Sequence, residues 1–253
     1  MDPLSIATEL ACEAGSMLRE RTGGPLEVHE KGLRGDLVTS ADRASEALIV
    51  ARLRADFPHS GILAEEGSAH AGDGDDRWII DPLDGTTNYA HGYPLYCVSI
   101  AYERAGEVLV GVIYAPAIDE LYQVERGSGA TCNGRTLRSS SVAGVAGALV
   151  CTGFMPAGFD RNATQFASLS RLAQAVRRDG SAALDLAFTA AGRFEAFWEF
   201  DLHAWDVAAG VLLVREAGGT VSAIDGSAFA LEAGSVLASN GHIHAEMVAA
   251  LAS

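Results

Sequence analysis

A short apolar run, Trp78-Ile79-Ile80, ends without a break on Asp81-Pro82-Leu83-Asp84-Gly85-Thr86-Thr87-Asn88. Few folds accommodate that junction. The run reads as a buried strand, and it has to deliver acids and hydroxyls to the edge of a core that penalises their charge. A second acidic stretch, Glu65-Glu66-Gly67, follows the apolar run Gly61-Ile62-Leu63-Ala64. A third, Trp205-Asp206-Val207-Ala208-Ala209-Gly210, lies far downstream and opens an expected helix. No Lys or Arg interrupts any of the three. Carboxylates gathered in one place repel each other unless cations lie between them. Hard divalent ions such as Mg²⁺ take oxygen ligands and share their sites with phosphate. The pattern therefore predicts a Mg²⁺ site built for phosphate chemistry.

Each residue also has a bland role to weigh. An Asp-Gly turn and a surface Glu pair are both common. Asp206 suits a helix N-terminus, and Thr39-Ser40-Ala41-Asp42 has the form of a capping box, a local role for Asp42. The chemistry rests on context. Pro82 stiffens the turn between Asp81 and Asp84 so that both can face one ion pair. The Leu83 carbonyl offers a hard oxygen, and Gly85 lets a phosphate approach the amides that follow. The Thr86 hydroxyl can orient a water. His91 and His203 read as structural.

The chain has 253 residues and a formal net charge of −15. So acidic a surface excludes nonspecific binding to nucleic acid or anionic membranes, which needs basic patches. No run approaches the roughly 18 apolar residues of a membrane span. Asp2 and Glu9 do not fit a signal peptide, and cysteines 12, 97, 132 and 151 form no CxxC pair. A cytoplasmic protein with reduced, buried cysteines is expected. A Ser nucleophile elbow, a Walker loop and a GxGxxG stretch are all missing from the sequence.

The expected elements alternate. Asp2 and Pro3 start a helix that Gly23-Gly24-Pro25 ends. Lys31–Asp36 reads as a mobile loop. A second helix runs from Thr39 to Asp56, with Ala47, Leu48, Ala51 and Leu53 as its buried side. Strands follow at Tyr96–Tyr102, Val108–Tyr114 and Glu120–Val124, with a hairpin turn at Asn133-Gly134. The small, flexible stretch Ser139–Gly147 separates two lobes, 1–143 and 144–253. Beyond it, strands at Leu149–Thr152, Phe194–Trp198 and Val236–Ala238 alternate with helices at Ala163–Ala175, Ala182–Ala191, Trp205–Ala217 and Ile243–Leu251. Such alternation predicts a layered α/β fold.

The three acidic stretches, in order, resemble the signature motifs of the inositol monophosphatase family, within the lithium-sensitive, Mg²⁺-dependent phosphatase superfamily. The resemblance extends to Lys31-Gly32 with Gly35-Asp36-Leu37-Val38-Thr39, to Ala41-Asp42 and to Gly180-Ser181-Ala182-Ala183. It implies a five-layered αβαβα sandwich, usually a homodimer. It implies that Glu65, Asp81 and the Leu83 carbonyl hold one Mg²⁺, that Asp81, Asp84 and Asp206 hold a second, and that Glu66 holds a third through water. Thr86 with Asp42 would position and activate the attacking water, with Glu65 as base. Gly85 and Thr86 would receive the phosphate, Glu199 would contact substrate hydroxyls, the Ala183 backbone would face the ring, and Lys31 would lie on a closing loop. Inositol-1-phosphate is the leading substrate. Histidinol phosphate stands close behind, because Glu199 can also pair with an ammonium. Fructose-1,6-bisphosphate and nucleotide substrates rank lower. Two readings from other classes remain: a protein-binding regulator of transcription on the same fold, and a plain Ca²⁺-binding acidic protein.

Overall fold

The computed structural model describes residues 2–24, 26–30, 37–154 and 159–252. The predicted loop Lys31–Asp36 lies outside the described residues. Two helices open the chain. α1 (Pro3–Arg21) begins where the Asp2 carboxylate accepts the Ser5 amide at 3.0 Å. α2 (Ser40–Asp56) follows a short hairpin of β1 (Val28–Glu30) and β2 (Leu37–Thr39). Its capping box is real: Thr39 accepts the Ala41 amide, and Asp42 reaches back to the Thr39 amide. The buried side of α2 is rotated from the expected one. Asp42, Ser45, Glu46, Ile49, Val50 and Leu53 face inward, whereas Ala47 and Ala51 are exposed and Leu48 is half-buried. Ile49, Val50 and Leu53 fill the core there, with the small Ala41 buried at the helix start.

Seven strands form the first sheet in sequence order: β3 (Gly61–Ala64), β4 (Asp76–Asp84), β5 (Cys97–Arg104), β6 (Glu107–Ala115), β7 (Glu120–Glu125), β8 (Gly129–Cys132) and β9 (Arg135–Thr136). β3 pairs parallel with β4, and every later pair is antiparallel. At the expected hairpin, Asn133 and Gly134 both take positive φ, 48° and 75°, as a tight two-residue turn demands.

The second sheet has the order β11 (Ala175–Arg177), β10 (Leu149–Thr152), β12 (Ala196–Phe200), β14 (Ser235–Ser239) and β13 (Thr220–Ser222). β10 runs parallel to β11 and β12, while β14 is antiparallel to β12 and β13. The sequence predicts Ala175 as the last residue of a helix. α4 (Phe159–Leu172) instead ends before it, and Ala175 pairs with Leu149 as the sheet's edge.

Strand alternation decides how the layers stack, because successive side chains face opposite sides. Trp78, Ile80, Val98 and Ile100 pack with α1 and α2, whereas Ile79 and Ala101 face the other way. There they meet α5 (Ala182–Ala190) and α6 (Ala204–Glu216), with Phe197 of β12 beyond those helices. Trp198, one residue on, joins the outermost core under α4 and α7 (His244–Leu251), packing with Leu169, Met247 and Leu251. The order of layers is therefore helix, sheet, helix, sheet, helix, as expected.

The middle helices touch closely. A Cβ on Gly210 of α6 would lie 2.5 Å from the Leu186 Cβ of α5, so only glycine permits this contact. Among the described residues no helix is long and apolar enough to cross a membrane.

Candidate active site

The site is assembled where β3 and β4 end and α6 begins. β4 carries Asp81 and Asp84. In a regular strand, residues three apart point to opposite faces. Here the pairing with β5 shifts: Asp81 lies opposite Ser99 and Asp84 opposite Cys97, so β4 holds one residue too many. That bulge returns Asp84 to the side of Asp81, and Pro82, with no amide hydrogen to lose, sits within it. The loop is pinned from below by Ser45 Oγ, which donates to the Pro82 carbonyl at 2.7 Å. The Leu83 amide donates to Asp81 Oδ1 at 3.0 Å, and the Leu83 side chain is fully buried.

Glu65 follows β3 directly, its amide donating to the Ile80 carbonyl at 3.2 Å. The turn after it is held by Glu46 of α2, which sequence reasoning missed. Glu46 is buried, and its carboxylate accepts the amides of Glu66 at 2.7 Å and Ser68 at 3.1 Å. A signal was present: Glu46 lies four residues after Asp42, on the stripe that also holds Ile49 and Leu53, so an acid occupied a core-facing position. Glu46→Ala leaves two amides without their acceptor. We expect it to weaken activating-metal affinity about 10- to 100-fold, as support for ligating groups commonly does. A Mg²⁺ titration of activity checks this, and unchanged affinity would remove Glu46 from the site.

Asp206 lies in the first turn of α6 and accepts the His203 amide at 2.6 Å, so the capping role is real as well. The His203 ring stacks on Trp205, with centroids 4.7 Å apart. Asp206, Glu65 and Asp84 all act on Asp81. Burial pushes the Asp81 carboxyl well above its usual range, the charges of Glu65, Asp84 and Asp206 push it further, and a hydrogen bond with Glu65 helps keep its proton. Desolvation likewise raises Asp84, to about 6, against the opposing hydrogen bonds from Ser181 and the Ala183 amide. Those donors approach Asp84 Oδ2 at 2.6 and 2.7 Å. The Ala183 amide is thus engaged with Asp84. The Cys97 thiol, at 3.8 Å, completes this side.

These carboxylates supply oxygen donors only, and like charges this close call for a compensating cation. The donor set fits Mg²⁺, which prefers hard oxygens. In another part of the fold, the Cys151 sulfur and carboxylate oxygens of Asp179 and Asp185 all lie within 4.8 Å of one another.

Beside the acids, Thr86 Oγ1 lies 2.9 Å from Asp42 Oδ1 and 3.1 Å from the Leu83 carbonyl, donating its one hydrogen toward either. Asp42 is wholly buried. Desolvation raises its pKa, opposed by hydrogen bonds from Thr39 and Thr86. Gly85, at φ 89°, turns the chain so that α3 (Thr86–Ala90) starts beside the cluster. Asn88 then bridges to the second half of the chain, its Nδ2 donating to the carbonyls of Leu95 at 2.6 Å and Asp179 at 2.8 Å. Glu199 of β12 is buried. Its carboxyl is pushed well above the usual range by desolvation first and then by Asp206 and Asp84, while Arg178 pulls the other way. Lys31 lies outside the described residues.

Fold and site define a layered α/β sandwich with an all-oxygen acidic centre at its strand ends. The sequence model of the inositol monophosphatase family matches residues 2–253, and the chain belongs to that family. An inositol-1-monophosphatase of Synechocystis is 45% identical over 98% of this chain and 88% of its own length. A protein of Pseudomonas aeruginosa named Nus factor SuhB is also 45% identical, over 94% of this chain and 91% of its own. The crystal structure of the extragenic suppressor protein suhB from Bartonella henselae superimposes with a TM-score of 0.94 at 40% identity, covering 98% of this chain and 97% of that one. A solved IMPase/NADP phosphatase complexed with Mg²⁺ and phosphate has a TM-score of 0.83 at 25% identity, covering 97% and 92%.

Proposed function

We propose that this chain is a Mg²⁺-dependent phosphomonoesterase whose leading substrate is inositol-1-phosphate. The observation that carries the reading is the convergence of Glu65, Asp84 and Asp206 on the buried Asp81 carboxyl, beside a threonine already bonded to an acid. Family membership and the inositol-1-monophosphatase relative support it.

Glu65, Asp81, the Leu83 carbonyl, Asp84 and Asp206 would hold two ions, and Glu66 a third through water. Bound Mg²⁺ would acidify a water and neutralise charge on the phosphate and the leaving oxygen. The protein's own part is positional. Thr86 gives its hydrogen to Asp42, which leaves its oxygen lone pairs free to accept from a water. That water is thereby aimed at phosphorus, and its proton passes to Glu65. A bond forms from the water oxygen to phosphorus, the bond from phosphorus to the ester oxygen breaks, and the alcohol leaves with a proton from solvent. The Gly85 and Thr86 amides receive the phosphate. Glu199 meets the hydroxyls of the ring, and its raised pKa lets it donate as well as accept. The Ala183 backbone lines the same side.

Steady-state kinetics on inositol-1-phosphate and histidinol phosphate, side by side with Mg²⁺, test this reading. We expect kcat/KM at least about tenfold higher for the inositol ester, roughly 1.4 kcal/mol of discrimination. The opposite order would replace the substrate, and no turnover of any monoester would remove the enzyme. Lithium should slow turnover by taking an ion's place. A second reading is favoured by one observation: the relative named Nus factor SuhB is as similar as the relative named for the phosphatase. A role in transcription would then accompany catalysis or replace it, and the same kinetics decide between those two. A homodimer is the expected assembly, measurable by sedimentation.

A further inference from the structure

We propose that Cys151, Asp179 and Asp185 hold a divalent transition-metal ion of the Zn²⁺ type, at a site distinct from the acidic centre. Cys151 lies in β10, Asp179 in the turn after β11, and Asp185 in the first turn of α5. Their Sγ and carboxylate oxygens all lie within 4.8 Å of one another. Tetrahedral Zn²⁺ with bonds of about 2.3 Å to sulfur and 2.1 Å to oxygen sets its ligands roughly 3.6 Å apart, so side-chain rotations of about 1 Å close the cage.

A second observation points to a ligand. Asp185 is 1% exposed, and neither carboxylate oxygen meets a hydrogen-bond donor among the described residues. The Cys151 thiol is near enough to favour its ionised form, but not with the geometry of a hydrogen bond. A buried carboxylate left so is costly, and it is relieved either by a proton or by a cation. Burial and its acidic neighbours push the Asp185 pKa up, and burial raises the Cys151 thiol as well, so an apo site would be protonated and ion binding would release protons. One soft sulfur with two oxygens selects Zn²⁺ or Co²⁺ over Mg²⁺.

The site would also brace the acidic centre. The Asp179 carbonyl accepts from Asn88, and just beyond that turn Ser181 and Ala183, at the start of α5, donate to Asp84. An ion on Asp179 would fix that turn.

Titration of metal-stripped protein with Co²⁺ tests the proposal through the near-ultraviolet absorption of a cobalt–thiolate bond. We expect one equivalent to saturate the band, Zn²⁺ to erase it, and excess Mg²⁺ to leave it. Cys151→Ser should abolish the band, and Asp185→Asn should weaken Co²⁺ affinity at least tenfold. Cys97→Ala and Asp84→Asn should keep it, which separates this site from the acidic centre. A wild-type protein without the band overturns the proposal and leaves Asp185 as a protonated core residue. So does a band that survives Cys151→Ser, vanishes in Cys97→Ala, or keeps its affinity in Asp185→Asn. Should Cys151→Ser fail to fold by circular dichroism, the Asp185→Asn and Cys97→Ala titrations decide.

Discussion

Asp84→Asn should cut phosphomonoester turnover by at least about 100-fold, since loss of a mere supporting group near a metal already costs 10- to 100-fold. Asp206→Asn should do the same. Both proteins should stay folded. In Asp84→Asn the amide oxygen can still accept from Ser181 and the Ala183 amide, which now meet Asp84 Oδ2 at 2.6 and 2.7 Å. The charge itself does not hold the metal-free fold together. Asp84 has its pKa raised from 3.8 to about 6, so the folded state binds this proton more tightly than the unfolded chain does. Its contribution to stability is complete below the unfolded value, 3.8, and is lost as pH rises through about 6. Metal-free wild type should therefore melt at lower temperature as pH climbs through that window. Mg²⁺, which needs the ionised form, should restore stability more at the upper end than at the lower. Asp84→Asn should weaken both trends. Thermal melts across pH, with and without Mg²⁺, and initial rates provide the check; near-normal rates in either variant would refute the ligand assignment.

Thr86→Ala should lower kcat by about 100-fold while leaving KM nearly unchanged. The hydroxyl touches Asp42 at 2.9 Å and the Leu83 carbonyl at 3.1 Å, and its proposed work is to aim a water. A reactant misplaced by about 1 Å commonly costs that much. Asp42 keeps its bonds from the Thr39 amide and hydroxyl, at 2.9 and 2.5 Å, so the capping of α2 survives. The stability loss should stay near about 1 kcal/mol, the usual worth of one hydrogen bond. Thr86→Ser keeps the hydroxyl and should recover most of the rate. A Thr86→Ala protein with wild-type kcat would show that Asp42 and Thr86 form a helix cap and nothing more.

Much of this was legible in the chain. Alternation of strands and helices predicted a layered α/β fold, and the order of its five layers came from the resemblance to the inositol monophosphatase family. The three acidic stretches stood out because each adjoined an apolar run or opened a helix. What escaped notice had physical reasons. The inward phase of α2 was misjudged because alanine fits either side of a helix; Ile49 and Val50 decided it by filling the core. Ala175 was lost to the edge of a sheet, where two strands' pairing overrides a helical pattern. The bulge between Asp81 and Asp84 is visible only once β5 supplies the partner register. Glu46 lay at a core-facing spacing that marked it as buried, but the amides of Glu66 and Ser68 that it accepts, like the partners of Ser181 and Asn88 across the chain, are set by the fold and not by spacing. Cys151 lies remote in sequence from Asp179 and Asp185, so their meeting is a property of the second sheet and α5 alone.

Asp206 is borne by a helix wedged at the molecular midline, where Gly210 rests directly on Leu186. Glu65, Asp81 and Asp84 reach it from the first sheet, on one side of that helix. The reactive centre thus behaves like a rivet driven through two plates: its grip depends on how tightly they are clamped. Bulk introduced at Gly210 would prise them apart, and catalysis would fade through a residue that never meets a phosphate.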